Sequence, residues 1–161
     1  MTLAKKCTVL YFKFTKKYIV LDKTTKAYQI AQEKMLEQDA FSQWLGIEII
    51  AIGQGATTLQ LTIRADMTNG FGIAHGGIAY ALADSALAFA SNAHGRHSVS
   101  VDTSIAHLQV AKVGDTLQAV TEEESLSHKM GVYRVVIRNQ KQEKIAVFKG
   151  IVYRSSQEWQ V

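Results

Sequence analysis

Residues 75–95 read HGGIAYALADSALAFASNAHG, and this stretch decides the fold. It predicts a helix from about Gly77 to Asn92, with Asn92 and Gly95 as the signals that end it. Apolar side chains occupy nearly the whole circumference of that helix, and a helix that is apolar all round is expected to be buried all round. Its many alanines allow other backbones to approach closely. The stretch therefore predicts a central helix that the rest of the chain covers on every side.

The segments on either side of that helix predict strands. Gly46–Ile52 and Thr57–Ile63 are rich in β-forming residues and are separated by Gly53-Gln54-Gly55, which is typical of a hairpin. Four further strand candidates follow the helix, at Ser98–Leu108, Asp115–Ser125, Val132–Asn139 and Lys144–Arg154. Because these strands follow one another without intervening helices, they favour one antiparallel sheet. The predicted fold is α+β, with the sheet wrapped around the helix.

The length of 161 residues fits one domain. Apolar residues recur loosely at helical spacing from Ala27 to Leu45, which predicts a surface-packed helix broken near Asp39. We expect residues 27–161 to form the domain and residues 1–26 to be a basic N-terminal extension outside its core.

The net charge of +4 is unevenly distributed along the chain. Residues 1–34 hold eight lysines against two acidic residues, a balance of +6, so the remaining 127 residues carry −2. A polyanion-binding domain would instead carry its positive charge on the folded body. Nucleic acid is therefore not an expected partner.

The same N-terminal stretch predicts neither an export signal nor a membrane span. Lys13, Lys16 and Lys17 break up the apolar stretch that begins with Val9–Phe12, and no stretch reaches the roughly 18 apolar residues that a membrane span needs. The single cysteine, Cys7, excludes an internal disulfide and any site built from several cysteines, and it suits a reducing compartment. We expect a cytoplasmic protein without a membrane partner.

Asp84 is the residue that does not fit its helix. From Gly76 to Ala90 the only other ionisable side chain is the weakly acidic Tyr80. A buried, unpaired carboxylate costs several kcal/mol or takes up a proton, so it persists either because it is paired or because it is used. One interpretation is that Asp84 accepts structural hydrogen bonds. We favour the other, in which it lines a cleft as a base or nucleophile in hydrolysis.

A second feature lies at the entrance of the helix, where His75-Gly76-Gly77 precedes the apolar run. Free N–H groups in a first turn can hold an oxyanion, and glycine lets a ligand come close, although a Gly-Gly pair can also be only a tight turn. Gly76 and Asp84 are eight residues apart, about 12 Å along a helix. One carbonyl cannot meet both groups of one helix. If both act on one substrate, they come from two subunits, which predicts a two-fold dimer with two shared sites.

Residues 69–102, NGFGIAHGGIAYALADSALAFASNAHGRHSVSVD, closely resemble the hotdog-fold thioesterases of the phenylacetic-acid-degradation type. The resemblance extends over about residues 30–154 and includes GDTLQAVTEEESLSHKMGVYRVVIRNQ and AVFKGIVYR. It implies a long helix wrapped by an antiparallel sheet, active sites shared by two subunits and dimers that pair into a homotetramer. The implied substrates are acyl-CoA thioesters, often aryl-acetyl or benzoyl types.

Position by position, the resemblance also implies roles for five residues. Asp84 would activate water or attack the thioester, and the Gly76 N–H would hold the carbonyl oxygen. Asn69 and His75 would help to place the thioester, and the Ser100 hydroxyl would hold the water or the catalytic acid. Three basic residues are candidates for the CoA phosphates, although we favour solvated surface charges, namely Lys129, Arg138 and Lys149. The chain has Val110 where relatives often have proline, which affects a loop and not the chemistry.

Other interpretations remain open at this level. His75 would allow a hotdog-fold dehydratase or hydratase, and an intact pocket without turnover would make a non-catalytic acyl-CoA binding module. We expect no cofactor and no metal, because CoA is part of the substrate and the other histidines lack ligand spacing. We interpret them as loop or surface residues, namely His94, His97, His107 and His128.

Overall fold

The computed structural model describes residues 22–161, in which six strands form one antiparallel sheet around a long helix. The strands are β1 (Glu48–Gly53), β2 (Ala56–Thr62), β3 (Arg96–His107), β4 (Thr116–Leu126), β5 (Met130–Arg138) and β6 (Lys144–Glu158). Their order in the sheet is β1-β2-β4-β5-β6-β3. The predicted sheet is therefore confirmed, with β6 four residues longer than expected. Most of the predicted extension, residues 1–21, lies outside the described residues, and its boundary stays a prediction.

The region before β1 is less regular than the helix with a break near Asp39 that the sequence predicts. Helix α1 (Lys26–Gln29) continues as a π-helix (Ile30–Met35) and a 3-10 turn (Leu36–Gln38), and helix α2 spans Ala40–Leu45. The break at Asp39 is confirmed. Asp39 has an extended backbone and caps α2, because its Oδ1 accepts hydrogen bonds from the Phe41 and Ser42 N–H groups. Gly46, predicted to begin a strand, instead ends α2 in the left-handed conformation at φ +73°.

Helix α3 spans Gly76–Asn92 and packs against the concave face of the sheet. Leu82, Leu87 and Phe89 on the helix are buried against strand residues such as Phe148. The approach is close at Gly150 on β6, where an added Cβ would lie 2.4 Å from Leu87 Cδ2. The sheet thus packs directly on the helix, and α3 holds its side chains in fixed positions relative to the strands.

One side of α3 is left open, so the prediction that the helix is buried all round is wrong for the single chain. Gly77 and Tyr80 are exposed, and Asp84 and Ala88 are half-buried, at spacings of three or four residues. The sheet curves around the rest of the helix but does not reach this side. Asp84 therefore lies on a side of α3 that residues 22–161 leave partly open.

Strand β3 forms one edge of the sheet, and its side chains are unusually exposed for a long strand. Val99 and Val101 are 62% and 57% exposed. The register to β6 shifts between Ser100 and Asp102, which places a bulge at Val101. A long edge with exposed apolar side chains is a surface that another chain can cover. Among residues 22–161, no helix is both long and apolar enough to cross a membrane.

Candidate active site

Asp84 lines a cavity of about 300 Å³ between the open side of α3 and the α2 region. Within residues 22–161 its carboxylate has no hydrogen-bond or ion-pair partner. Burial raises the pKa of Asp84 above its usual value by desolvation. A half-buried carboxylate without a partner is suited to take a proton from water. The cavity is lined by Met35, Gln38, Asp39, Phe41, Ala81, Asp84, Ser85, Ala88 and Phe89.

A second cavity, of about 180 Å³, lies at the start of α3. It brings together three of the predicted site residues, Asn69, His75 and Gly76, and adds His107 from the end of β3. The rest of its lining comes from Ile73, Ala74, Ala79, Gln109, Val110, Ala111, Leu117 and Ile145. Mostly apolar walls with a few polar groups at one end are typical of a ligand pocket.

The two glycine N–H groups at the start of α3 differ in their hydrogen bonding. His75 caps the helix, since its Nδ1 accepts a hydrogen bond from the Gly77 N–H at 2.9 Å. The Gly76 N–H has no partner within the described part of the chain. This free donor lies at the positive end of the 17-residue helix α3. The arrangement offers one N–H group, that of Gly76, to a developing oxyanion.

The cap also assigns the proton of the His75 ring. Because Nδ1 accepts from Gly77, the neutral ring carries its proton on Nε2. Nε2 is then a donor that can position an acceptor, while the lone pair that a base would use is already engaged. His75 is therefore suited to placing a thioester and poorly suited to removing a proton from carbon.

Asn69 organises the loop that leads into α3. Its side-chain Oδ1 accepts from the Phe71 N–H at 2.9 Å, its N–H donates to the Ile73 carbonyl, and its carbonyl accepts from the Gly72 N–H. The side-chain Nδ2 has no partner within residues 22–161. Asn69 thus presents a free amide donor in the same cavity as Gly76.

His107, expected as a loop or surface residue, lies beside the start of α3 and was not predicted as part of the site. The ring is exposed, but its Nε2 lies 3.2 Å from where a Cβ on Gly76 would be, so it forms a wall of the glycine cavity. The proximity depends on how β3 passes the start of α3, and nothing in the local sequence signals it. His94 lies in the turn that follows α3, as expected, and its Nε2 is 2.6 Å from Glu123 Oε2.

The five predicted residues do not meet at one point of the single chain. Asp84 lies in one cavity, and Asn69, His75 and Gly76 lie in the other. Ser100 is exposed on the edge strand β3 and lines neither cavity.

None of the three candidate phosphate-binding residues lines either cavity. Lys129 Nζ lies 5.8 Å from the centre of the Tyr153 ring, Arg138 donates to the Gln142 carbonyl, and Lys149 is exposed on β6. The described residues contain no group of three or more His, Cys, Asp or Glu side chains that could hold a metal ion.

The chain is similar in sequence and in structure to known thioesterases. Residues 71–146 match a family model described as the thioesterase superfamily. The acyl-coenzyme A thioesterase PaaI of Escherichia coli strain K12 is 38% identical over 129 residues, covering 80% of this chain and 91% of that protein. The solved structure of E. coli PaaI, from the phenylacetic acid degradation operon, superposes with a TM-score of 0.80 at 37% identity, covering 83% and 96% of the two chains. A mutant of PaaI from Thermus thermophilus superposes with a TM-score of 0.70 at 33% identity, covering 73% and 100%.

Proposed function

The chain belongs to the thioesterase superfamily and has its hotdog fold, and we propose that it hydrolyses an acyl-CoA thioester to a free acid and CoA. The main support for this proposal is Asp84, a half-buried carboxylate that has no partner within residues 22–161 and lines a cavity of about 300 Å³. Such a group supports general-base or nucleophilic chemistry. The 38% identity to an acyl-CoA thioesterase supports the substrate class.

The Gly76 N–H and Asp84 divide the chemistry between them. The free N–H at the helix start holds the thioester carbonyl oxygen and stabilises the negative charge that develops on it in the transition state. Asp84 then takes a proton from water as a general base, or its carboxylate attacks to form an anhydride. Asn69 and the Nε2–H of His75 donate hydrogen bonds that orient the thioester. No metal or redox cofactor takes part in this scheme.

Two subunits complete one site in this proposal. Gly76 and Asp84 lie about 12 Å apart along α3 and open into different cavities, so one chain cannot present both to one carbonyl. A second copy on the open side of α3 would bring its own helix start beside Asp84. The exposed valines of the edge strand β3 supply apolar surface for such a contact. The resulting dimer would place Ser100 of the edge strand near a site, and two dimers would pair into a tetramer.

An aromatic acyl group is the favoured substrate. The Asp84 cavity is walled by the side chains of Met35, Phe41 and Phe89, and its volume of about 300 Å³ is at the lower end of small-ligand pockets. Aromatic and thioether side chains pack well against a flat ring. We therefore propose an aryl-acetyl-CoA such as phenylacetyl-CoA or hydroxyphenylacetyl-CoA.

The test is thiol release from a panel of acyl-CoAs that includes phenylacetyl, hydroxyphenylacetyl, benzoyl, hexanoyl and acetyl thioesters. An enoyl-CoA serves as the control for hydration. The proposal predicts release from the aryl-acetyl thioesters with the highest kcat/KM and no hydration of the enoyl-CoA. Binding without release of any thiol would indicate a non-catalytic module, and hydration of the enoyl-CoA would indicate a hydratase.

A further inference from the structure

Ser85, the residue that follows Asp84 on α3, lines the same cavity. Ser85 Oγ lies 3.1 Å from Ser42 Oγ on α2, and both Ser85 and Asp39 line the cavity together with Asp84. Ser42 is fully buried, so its hydrogen bonds are not exchanged with bulk water. Three polar side chains therefore run in a row from the loop before α2 to the cavity.

The direction of the hydrogen bonds in this row is fixed at Asp39. Ser42 Oγ donates to Asp39 Oδ2 at 2.6 Å, and a serine hydroxyl has only one proton. In its contact with Ser85, Ser42 must therefore accept, and Ser85 must donate. With its proton committed to Ser42, Ser85 Oγ can only accept a hydrogen bond from a molecule in the cavity.

A water molecule attacking a thioester needs this kind of acceptor. It has two protons and must direct an oxygen lone pair at the carbonyl carbon, so both protons need acceptors on the side away from the substrate. Asp84 supplies one acceptor and Ser85 supplies the other. A hydroxyl that donated to the water oxygen would instead leave the second water proton without this acceptor.

We propose that Ser85 is a catalytic residue whose Oγ accepts a hydrogen bond from the water that Asp84 activates, with Ser42 and Asp39 as positioning residues that keep Ser85 an acceptor. The inference rests on the proposed thioester hydrolysis in its general-base form. One water proton passes to the Asp84 carboxylate as the new C–O bond forms, and the C–S bond then breaks. The departing sulfur takes that proton from Asp84, giving the free acid and the CoA thiol.

Substitution at Asp39 can reverse the direction of these hydrogen bonds without removing the cap of α2. In Asp39→Asn, the side-chain oxygen keeps its two bonds from the Phe41 and Ser42 N–H groups, since asparagine caps helices as well as aspartate. The amide NH₂ then faces Ser42 and donates to it. Ser42 must in turn donate to Ser85, whose own proton is released into the cavity.

The experiment measures kcat and KM for four variants on the best acyl-CoA of the panel. Ser85→Ala removes the acceptor, and Asp39→Asn turns Ser85 into a donor. Each variant is expected to lower kcat about tenfold, the effect of about one hydrogen bond, with KM changed less than about twofold. Ser85→Thr keeps the hydroxyl and is expected to restore most of kcat. Ser91→Ala is the matched control and is expected to leave kcat unchanged. Among residues 22–161, Ser91 Oγ bonds only to the Ala88 carbonyl, within α3.

The double variant Asp39→Asn/Ser85→Ala separates this role from a structural one. If Asp39 acts through Ser85, the kcat of the double variant is no lower than that of Ser85→Ala. If the two substitutions damage the structure independently, their losses of kcat multiply. Three results would each overturn the inference while leaving the proposed hydrolysis intact. They are losses of kcat that multiply in the double variant, a normal kcat in Ser85→Ala, and a normal kcat in Asp39→Asn. Normal turnover in a folded Asp84→Asn variant would instead overturn the proposed function itself.

Discussion

Helix α3 carries two similar polar side chains in opposite circumstances, Asp84 in its middle and Asn92 at its end. Asn92 is 2% exposed, and each of its donors and acceptors is used. Its Nδ2 donates to the Ala88 and Ser98 carbonyls, and its Oδ1 accepts from the Ser98 N–H and from Trp159 Nε1. Asp84 is half-buried and has no partner within the described residues. A polar group that is fully paired stabilises the fold, while one that is buried and unpaired is available for chemistry.

The largest effect is expected from Asp84→Asn, which keeps the shape of the side chain and removes its basicity. Turnover of the best acyl-CoA should fall by a factor on the order of 100 to 10,000, the range for loss of a general base. Steady-state thiol release measures it, with circular dichroism as the check that the variant is folded. A folded variant that hydrolyses at the normal rate would remove Asp84 from the mechanism.

Two variants of Gly76, to proline and to alanine, should distinguish the effect of losing the N–H group from the effect of crowding near it. Gly76→Pro removes the N–H at the first helical position, where proline fits and the extended backbone of His75 allows it. Gly76→Ala keeps the N–H but also places a Cβ 3.2 Å from His107 Nε2. Loss of one oxyanion donor is expected to lower kcat about 100-fold or more in the proline variant.

The alanine variant should lose much less activity, because only the His107 ring has to move. The comparison is made by kcat at saturating substrate. Equal losses in both variants would assign the effect to crowding at His107 and not to the N–H group.

The reciprocal change, Asn92→Asp, should affect stability and not chemistry. The substitution removes both hydrogen bonds that Nδ2 donates and places a buried, charged carboxylate next to the two carbonyl oxygens that accepted them. The free energy of unfolding should therefore fall by about 3 kcal/mol or more. Urea unfolding measures the loss, and kcat per folded molecule should stay normal. An intact fold with a large loss of kcat would show that Asn92 takes part in the reaction.

The smallest effect is expected in the pH dependence of stability. The pKa of Asp84 in the folded protein is raised by desolvation, so the folded state binds the proton more tightly than the unfolded chain. Asp84 therefore lowers the stability at pH values above its folded pKa, and this loss disappears as the pH falls through that value. Asp84→Asn should be more stable than the wild type at neutral pH, with the difference shrinking in acid. Thermal unfolding from pH 7 to pH 4 measures it, and a difference that grows in acid would contradict the desolvation.

Much of the fold follows from the sequence because its signals are local and repetitive. The alternating strands and the alanine-rich α3 gave the correct elements, and Asp84 stands out on such a helix without any structure. The region from α1 to α2 was less predictable, since a π-helix and a 3-10 turn leave no distinct periodicity. Full burial of α3 was wrong because periodicity does not show how far a sheet curves.

The candidate site was predictable only where its residues are close in sequence. Asn69, His75 and Gly76 share a cavity because a short loop leads directly into α3. His107 and Ser42 were not identified, because each approaches α3 through the packing of a distant segment. Ser100 was assigned by resemblance, and its role depends on how two chains associate.

Co-expression of Asp84→Asn and Gly76→Pro chains in equal amounts tests whether Asp84 and Gly76 act from different subunits. Each variant alone has a defect in every site. If sites are shared between two subunits, random pairing gives about one quarter of the sites an intact Asp84 and an intact Gly76. We predict that mixed protein recovers about one quarter of the wild-type kcat per site. Activity no higher than the average of the two variants alone would contradict shared sites.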